Sequence, residues 1–172
     1  MGSPKALLTY RGETFLDRLI GIFSSCCDQT VVVLGHGHEQ ILEKLQRRQS
    51  AEFVINPDPE RGQLSSLQWG LRSATEARAI FFTPVDYPAF EATTVRALLP
   101  KAGTFTMPRY NGKRGHPVLI DRAIADEILA CRTMARDVIR AHTPAYVEVD
   151  DPGILEDVDD PAAYARLEEA VR

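Results

Sequence analysis

Ala79-Ile80-Phe81-Phe82-Thr83-Pro84-Val85-Asp86-Tyr87-Pro88 is a short apolar run that ends in an acid and a proline. An apolar run of this length fills a buried strand, and the proline ends it while pushing Tyr87, the residue before it, out of helical geometry. Asp86 therefore falls at the carboxyl end of a central strand, where open α/β sheets hold their ligands. An acid in that place is a metal ligand, a ribose or base contact, or a helix cap. The strand-end position favours a ligand role.

Upstream of this stretch the sequence alternates strand and helix. Thr14 reads as an N-cap, and Phe15, Leu16, Leu19, Ile20 and Phe23 recur at helical spacing over residues 14–26. Val31 to Leu34 reads as a strand buried on both faces, and Gly35-His36-Gly37 leads into a helix with Ile41, Leu42 and Leu45 inward. Ala51 to Ile55 is a third apolar segment, closed by Asn56-Pro57-Asp58-Pro59, which makes a fixed loop. That loop runs through Gly62 to Ser65-Ser66, which read as caps of a helix with Leu67, Leu71 and Ala74 on one face. Downstream, a helix is expected over 91–99 and strands over 104–107 and 117–120, flanking a loop at 109–116. Helices follow over 122–131 and 134–141, then a strand over 146–149. Pro161 takes the first position of a last helix. The alternation indicates a largely parallel sheet wound with helices, in one domain spanning 1–172.

At 172 residues the chain is long enough to bury a core, and its 44% hydrophobic and 26% charged residues are ordinary for a globular protein. A net charge of −4 argues against nonspecific nucleic-acid or membrane-surface binding. No apolar run reaches membrane-spanning length and no signal-peptide core precedes the first helix, so a cytoplasmic location is expected. Three cysteines, Cys26, Cys27 and Cys131, fit reduced thiols and core filler better than metal ligands.

Asp157 and Asp159 precede the last helix, and carboxylates from such distant segments can converge with Asp86 on one Mg²⁺. Asp159 fits a metal ligand and a helix cap equally well, whereas Asp160, directly before proline, reads as the cap. Lys5, after a Gly-Ser-Pro turn, is either a point-charge clamp on phosphate or a solvated lysine. Ser65 and Ser66 offer hydroxyls near a helix N-terminus, which suits a base or phosphate as well as capping. Arg114 and His116 lie in a loop bracketed by Gly112 and Gly115, a shape that permits close approach of a ligand. His36 and His38 fit a polar loop better than a metal site. Trp69 lies off the face of Leu67 and Leu71, beside a possible pocket.

Met1-Gly-Ser-Pro-Lys-Ala-Leu-Leu8, Ser66-Leu67-x-x-Gly70-Leu71, Val85-Asp86-x-Pro88, Gly112-Lys-Arg-Gly-His-Pro117 and Asp157-Val-Asp-Asp-Pro161 occur in this order. Together they resemble the MobA-like nucleotidyltransferases, especially the molybdenum-cofactor cytidylyltransferase branch, over essentially the whole chain. The resemblance implies a Rossmann-like α/β three-layer sandwich of the nucleotide-diphosphosugar transferase type. It also implies transfer of a nucleoside monophosphate, CMP foremost, from an NTP to a phosphorylated acceptor such as molybdopterin, with Mg²⁺ and release of pyrophosphate. A molybdoenzyme-maturation partner would follow from that role.

Matched to the family's motifs, Lys5 is the phosphate-binding lysine, Asp86 the metal-binding aspartate and Asp159 the position near a second metal contact. Ser66, with Gly62 in the loop before it, lies on the nucleotide side, and Arg114 and His116 lie on the acceptor side. The family opens with a strand and a glycine-rich loop before its Met-Gly-x-Pro-Lys motif. This sequence begins at that methionine, so the central N-terminal strand is expected to be missing and two sheet edges to be left unpaired. Two other functions remain open: nucleotidyl transfer to a sugar phosphate or another small phosphate, and nucleotide binding without catalysis.

Overall fold

Arg11 and Gly12 adopt positive φ values of 51° and 82°, the geometry of a two-residue hairpin turn. They join β1 (Thr9–Tyr10) to β2 (Glu13–Thr14) in the computed structural model, which describes residues 4–169. Thr14 is the N-cap of α1 (Phe15–Ser24): its hydroxyl oxygen accepts from the Asp17 amide at 3.0 Å and its O–H donates to the Asp17 carboxylate at 2.7 Å. The other Asp17 oxygen accepts from the Gln46 and Arg47 amides, which leaves this buried acid fully bonded.

The next elements alternate as the sequence indicates. They are β3 (Val31–Leu34), α2 (His38–Lys44), β4 (Glu52–Ile55), α3 (Gln63–Ser73) and β5 (Ala79–Phe82). β3 and β4 pair in parallel from Val31–Glu52 to Leu34–Ile55. One expectation fails between them and β5. Ser65 and Ser66 lie inside α3, which starts two residues earlier at Gln63 after Gly62, whose φ of 79° favours glycine. Their hydroxyls serve the buried Asn56, which donates to Ser66 Oγ at 3.1 Å and accepts from Ser65 Oγ at 3.3 Å. The serines fix the loop by side-chain bonding and do not cap the helix.

After α4 (Ala92–Leu98) come β6 (Thr106–Tyr110), β7 (Lys113–Arg114), β8 (Val118–Asp121), α5 (Arg122–Ala130), α6 (Ala135–Ala141), β9 (Ala145–Glu148) and α7 (Pro161–Glu169). Residues 109–116, expected as a loop, include a tight hairpin. Asn111 and Gly112 turn with φ of 48° and 77°, and β7 pairs antiparallel with β6. An Asn-Gly pair takes these left-handed values at low cost, so the turn was legible in the sequence. The second sheet is mixed: β8 is antiparallel to β5 and β6, while β9 runs parallel to β6. Parallel pairing thus prevails only where helices cross between strands.

Among the described residues no strand joins the β3–β4 pair to the sheet containing β5. A cavity of about 1650 Å³ lies there, lined by β3, β5 and apolar side chains of α1 and α3, among them Leu16, Ile20, Phe23 and Leu67. The cavity explains a second departure from expectation. Val31, Val32 and Val33 and all of β5 are half-buried, although the sequence reads as strands buried throughout. Among the described residues no strand pairs with the outer edges of β3 and β5.

Extending the chain at its N-terminus with a short linker and a five-residue apolar strand is expected to fill this cavity. A gain of about 2 kcal/mol would raise Tm by roughly 4–8 °C in a chain of this size. An unchanged melting curve would show that the two edges do not accept a strand.

Candidate active site

Val158 is the anchor of the site. Its side chain is buried against Tyr10, Phe15 and Ala89, and its amide donates to the Asp86 carbonyl at 2.9 Å. In extended backbone successive side chains point to opposite faces. Burying Val158 therefore turns Asp157 and Asp159 outward together, beside Asp86. The segment is held from behind as well. Gly115 lies so close that a Cβ there would sit 2.1 Å from the Ile154 carbonyl oxygen, and the His116 amide donates to that oxygen at 3.0 Å. Asp151 ties the same turn to α4 by accepting from the Glu91 amide, the Thr94 hydroxyl and the Gly153 amide.

Lys5 enters from the other side. It begins a 3-10 turn, Lys5–Leu7, whose Ala6 is buried in a cluster with Leu16, Ile20 and Leu34. Its ammonium donates to Asp86 at 3.1 Å and to Asp159 at 2.7 Å. Burial pulls the Lys5 pKa down, but the bonds to Asp159 and Asp86 outweigh it and hold the ammonium above its ordinary value. The same Lys5 bond and charge hold the exposed Asp159 below the usual carboxylate range. Asp157 shifts the opposite way. Burial pushes it up and repulsion from Asp159 and Asp86 adds to that, against the hydrogen bond it accepts from Tyr87.

The sequence residues assemble as follows. Lys5, Gly62, Ser66, Asp86, Arg114 and His116 all line the large cavity, and Asp159 joins them through Lys5. Asp160 is the cap of α7, accepting from the Ala163 amide at 2.7 Å, so the adjacent acids divide the two roles. His36 pairs with Glu60, and His38 bonds the Gly35 carbonyl; neither nears the acids. Trp69 stacks with Arg72 and does not line the cavity. Cys26, Cys27 and Cys131 are free thiols.

Two residues beyond Lys5, Asp86 and Asp159 complete the site, and of these the sequence pointed to Asp157 but not to Tyr87. Asp157 completes a group in which one oxygen each of Asp86, Asp157 and Asp159 lies within 4.8 Å of the others. Tyr87 donates to Asp157 at 3.0 Å and packs its ring 4.3 Å from the His116 ring. The Asp-Val-Asp alternation carried the first signal; nothing in the sequence carried the second.

The donor set fits a hard divalent cation. Three carboxylates face one ammonium, leaving a charge of about −2, and oxygen ligands of this kind suit Mg²⁺ or Mn²⁺. Among the described residues Asp86 Oδ1 is buried with no hydrogen-bond partner, a costly state that a cation would relieve.

Comparison with known proteins accords with this geometry. The model of the MobA-like NTP transferase domain matches residues 1–146, and the chain belongs to that family. Its relatives include the molybdenum cofactor cytidylyltransferase of Escherichia coli K12, 24% identical over 98% of this chain and 89% of that protein. The nicotine blue oxidoreductase of Paenarthrobacter nicotinovorans is 30% identical over 70% of this chain and 64% of that protein. Among solved structures, Rv0371c of Mycobacterium tuberculosis superimposes with a TM-score of 0.80 at 25% identity, covering 98% of this chain and 90% of that one. Rv0371c has also been solved in complex with manganese; that structure gives a TM-score of 0.78 at 23% identity, covering 97% and 92% of the two chains. These relationships make the protein a nucleotidyltransferase of the MobA-like kind, with an α/β fold that its solved relatives share.

His116 gives a pH test of the site's packing. Burial lowers its pKa to about 4, against the opposing influence of a backbone hydrogen bond at Phe82 and the charge of Asp86. The unfolded chain binds this proton near 6.5 and the folded chain does not, so stability is full above pH 6.5 and falls as pH drops toward 4. The loss over that window is about 3 kcal/mol at most. NMR titration of the ring is expected to show a neutral imidazole at pH 5.5; a midpoint above 6 would contradict the packing.

Proposed function

We propose that this protein transfers a nucleoside monophosphate, CMP in preference, from an NTP to a phosphorylated small-molecule acceptor of the molybdopterin type, releasing pyrophosphate. The observation that carries the reading is Lys5 joined to Asp86 and Asp159, with Lys5 and Asp86 lining a cavity also lined by Ser66 and His116. A phosphate monoester is already anionic near neutral pH and attacks phosphorus without a general base. The reaction therefore asks for positioning and charge neutralisation, which this residue set supplies.

Asp86 and Asp159 would hold Mg²⁺, which when bound polarises phosphoryl oxygens and offsets the charge of the triphosphate. Lys5 places its ammonium between these carboxylates, within reach of phosphate oxygens entering the cleft. Gly62 and Ser66, at the start of α3, line the nucleotide side. Arg114, exposed on the hairpin, and the neutral His116 line the acceptor side. The bond formed joins an acceptor oxygen to the α-phosphorus, and the bond broken frees pyrophosphate. One relative is named as an oxidoreductase. The acid–lysine cluster supports transfer.

Pyrophosphate release is the measurement, made on the chain and on its N-terminally extended form with each NTP and with molybdopterin or sugar-phosphate acceptors. CTP with molybdopterin is expected to give the highest rate. Asp86→Asn is expected to lower kcat by about a hundredfold or more, and Lys5→Ala similarly, with melting temperatures little changed. Near-normal turnover in Asp86→Asn would sink the assignment. Nucleotide binding without any pyrophosphate would instead identify a binding module.

A further inference from the structure

Asn56, directly after β4, is 2% exposed, and the direction of its side-chain amide is fixed by its neighbours. The Asp58 backbone N–H donates to Asn56 Oδ1 at 3.0 Å. A backbone N–H only donates, so the carbonyl oxygen must face it and the NH₂ group must face the other way. That NH₂ group donates to Ser66 Oγ at 3.1 Å. The loop is also tied to the end of β3. The Asn56 backbone amide donates to the Leu34 carbonyl at 2.8 Å, and a Cβ on Gly35 would sit 2.8 Å from Pro59 Cβ.

The two adjacent serines therefore differ in what they offer. Ser65, 4% exposed, spends its hydroxyl hydrogen on Asn56 Oδ1 and the Asp58 carbonyl, each at 3.3 Å. Ser66 accepts from Asn56, so its own hydrogen points away from that residue. Among the described residues nothing accepts this hydrogen, and Ser66 lines the large cavity. A hydroxyl whose oxygen is already engaged presents itself to a ligand chiefly as a donor. The stretch of cavity wall made by Gly35, Pro59, Gly62, Gln63 and Ser66 carries no cation. Phosphate oxygens belong where Lys5 lies; a neutral acceptor atom suits the wall at Ser66.

We propose that Asn56 is a positioning residue that fixes the Ser66 hydroxyl as a hydrogen-bond donor, and that its ligand is an acceptor atom on the edge of the nucleobase. The inference rests on the nucleotide-transfer reading above and adds the residue that sets the polarity of the base contact. Asn56 does not line the cavity and acts only through Ser66.

The test is equilibrium binding of CTP, UTP and inorganic tripolyphosphate to the full chain with Mg²⁺, with circular dichroism as a fold control. Asn56→Asp keeps the bond from Asp58 but sets an acceptor against Ser66, which turns the hydroxyl inward. It is expected to weaken CTP binding about tenfold, and Ser66→Ala by a similar factor. Ser66→Ala reads the base contact even where circular dichroism shows Asn56→Asp unfolded. Tripolyphosphate, which has no base, is expected to bind both variants nearly as it binds the parent. A loss for CTP but not UTP assigns the contact to the bare ring nitrogen that uracil lacks, and a like loss for both to a shared carbonyl oxygen. In the Ser66→Ala background, Asn56→Asp is expected to cost CTP nothing further, because its route to the base has gone. Equal losses with and without Ser66, or an equal loss for tripolyphosphate, would overturn the proposal. If neither variant moves CTP binding while Lys5→Ala abolishes it, the base contact is disproved and the nucleotide reading stands. If the parent binds none of the three ligands, that reading falls too.

Discussion

The Lys5 ammonium, bonded at once to Asp86 and Asp159, joins sequence positions 81 and 154 residues apart. Three carboxylates drawn together in a partly desolvated cleft repel one another, and the protein tolerates this only with positive charge among them. Lys5 supplies one unit, and the remainder suits a divalent cation. The cluster's geometry comes from apolar packing. Buried Val158 and Ala6 hold the two arms in place, and the charged groups follow from where those side chains sit. The cost of gathering charge is met by hydrophobic burial a residue away.

The cavity between β3 and β5 bears on the same cleft. Lys5 and Asp86 line it together with both strands and apolar residues of α1 and α3. Backbone groups on the facing strand edges and apolar side chains on the helices make a surface that only an extended apolar segment satisfies fully. Whatever rigidity that segment would bring to β5 it would bring to Asp86 as well.

Much of the fold was legible. The helical spacing of Phe15, Leu16, Leu19 and Ile20 and the Thr14 cap define α1. Pro161 after Asp160 marks α7, and strand–helix alternation gives the β3-to-β5 region. The errors were local and share a cause. Ser65-Ser66 read as a cap because small hydroxyl residues before an apolar face are the usual signal. Asn56, buried beneath them, recruited those hydroxyls and let α3 begin earlier. The half-buried state of Val31 to Val33 depends on what lies beside the strand, which apolar character alone does not encode.

The site divides in the same way. The sequence by itself determined that Asp157 and Asp159 share a face and that Asp160 caps a helix, because strand alternation and capping act over a few residues. It placed Asp86 at the end of a strand, whereas β5 stops at Phe82 and Asp86 sits in the turn beyond it. Only the tertiary structure decided that Lys5 reaches both Asp86 and Asp159, and that Tyr87 braces Asp157 against His116. Those contacts join residues 70 or more positions apart, or depend on a ring packed across two segments. Side-chain contacts of that kind are set by core packing, and local sequence signals do not extend that far.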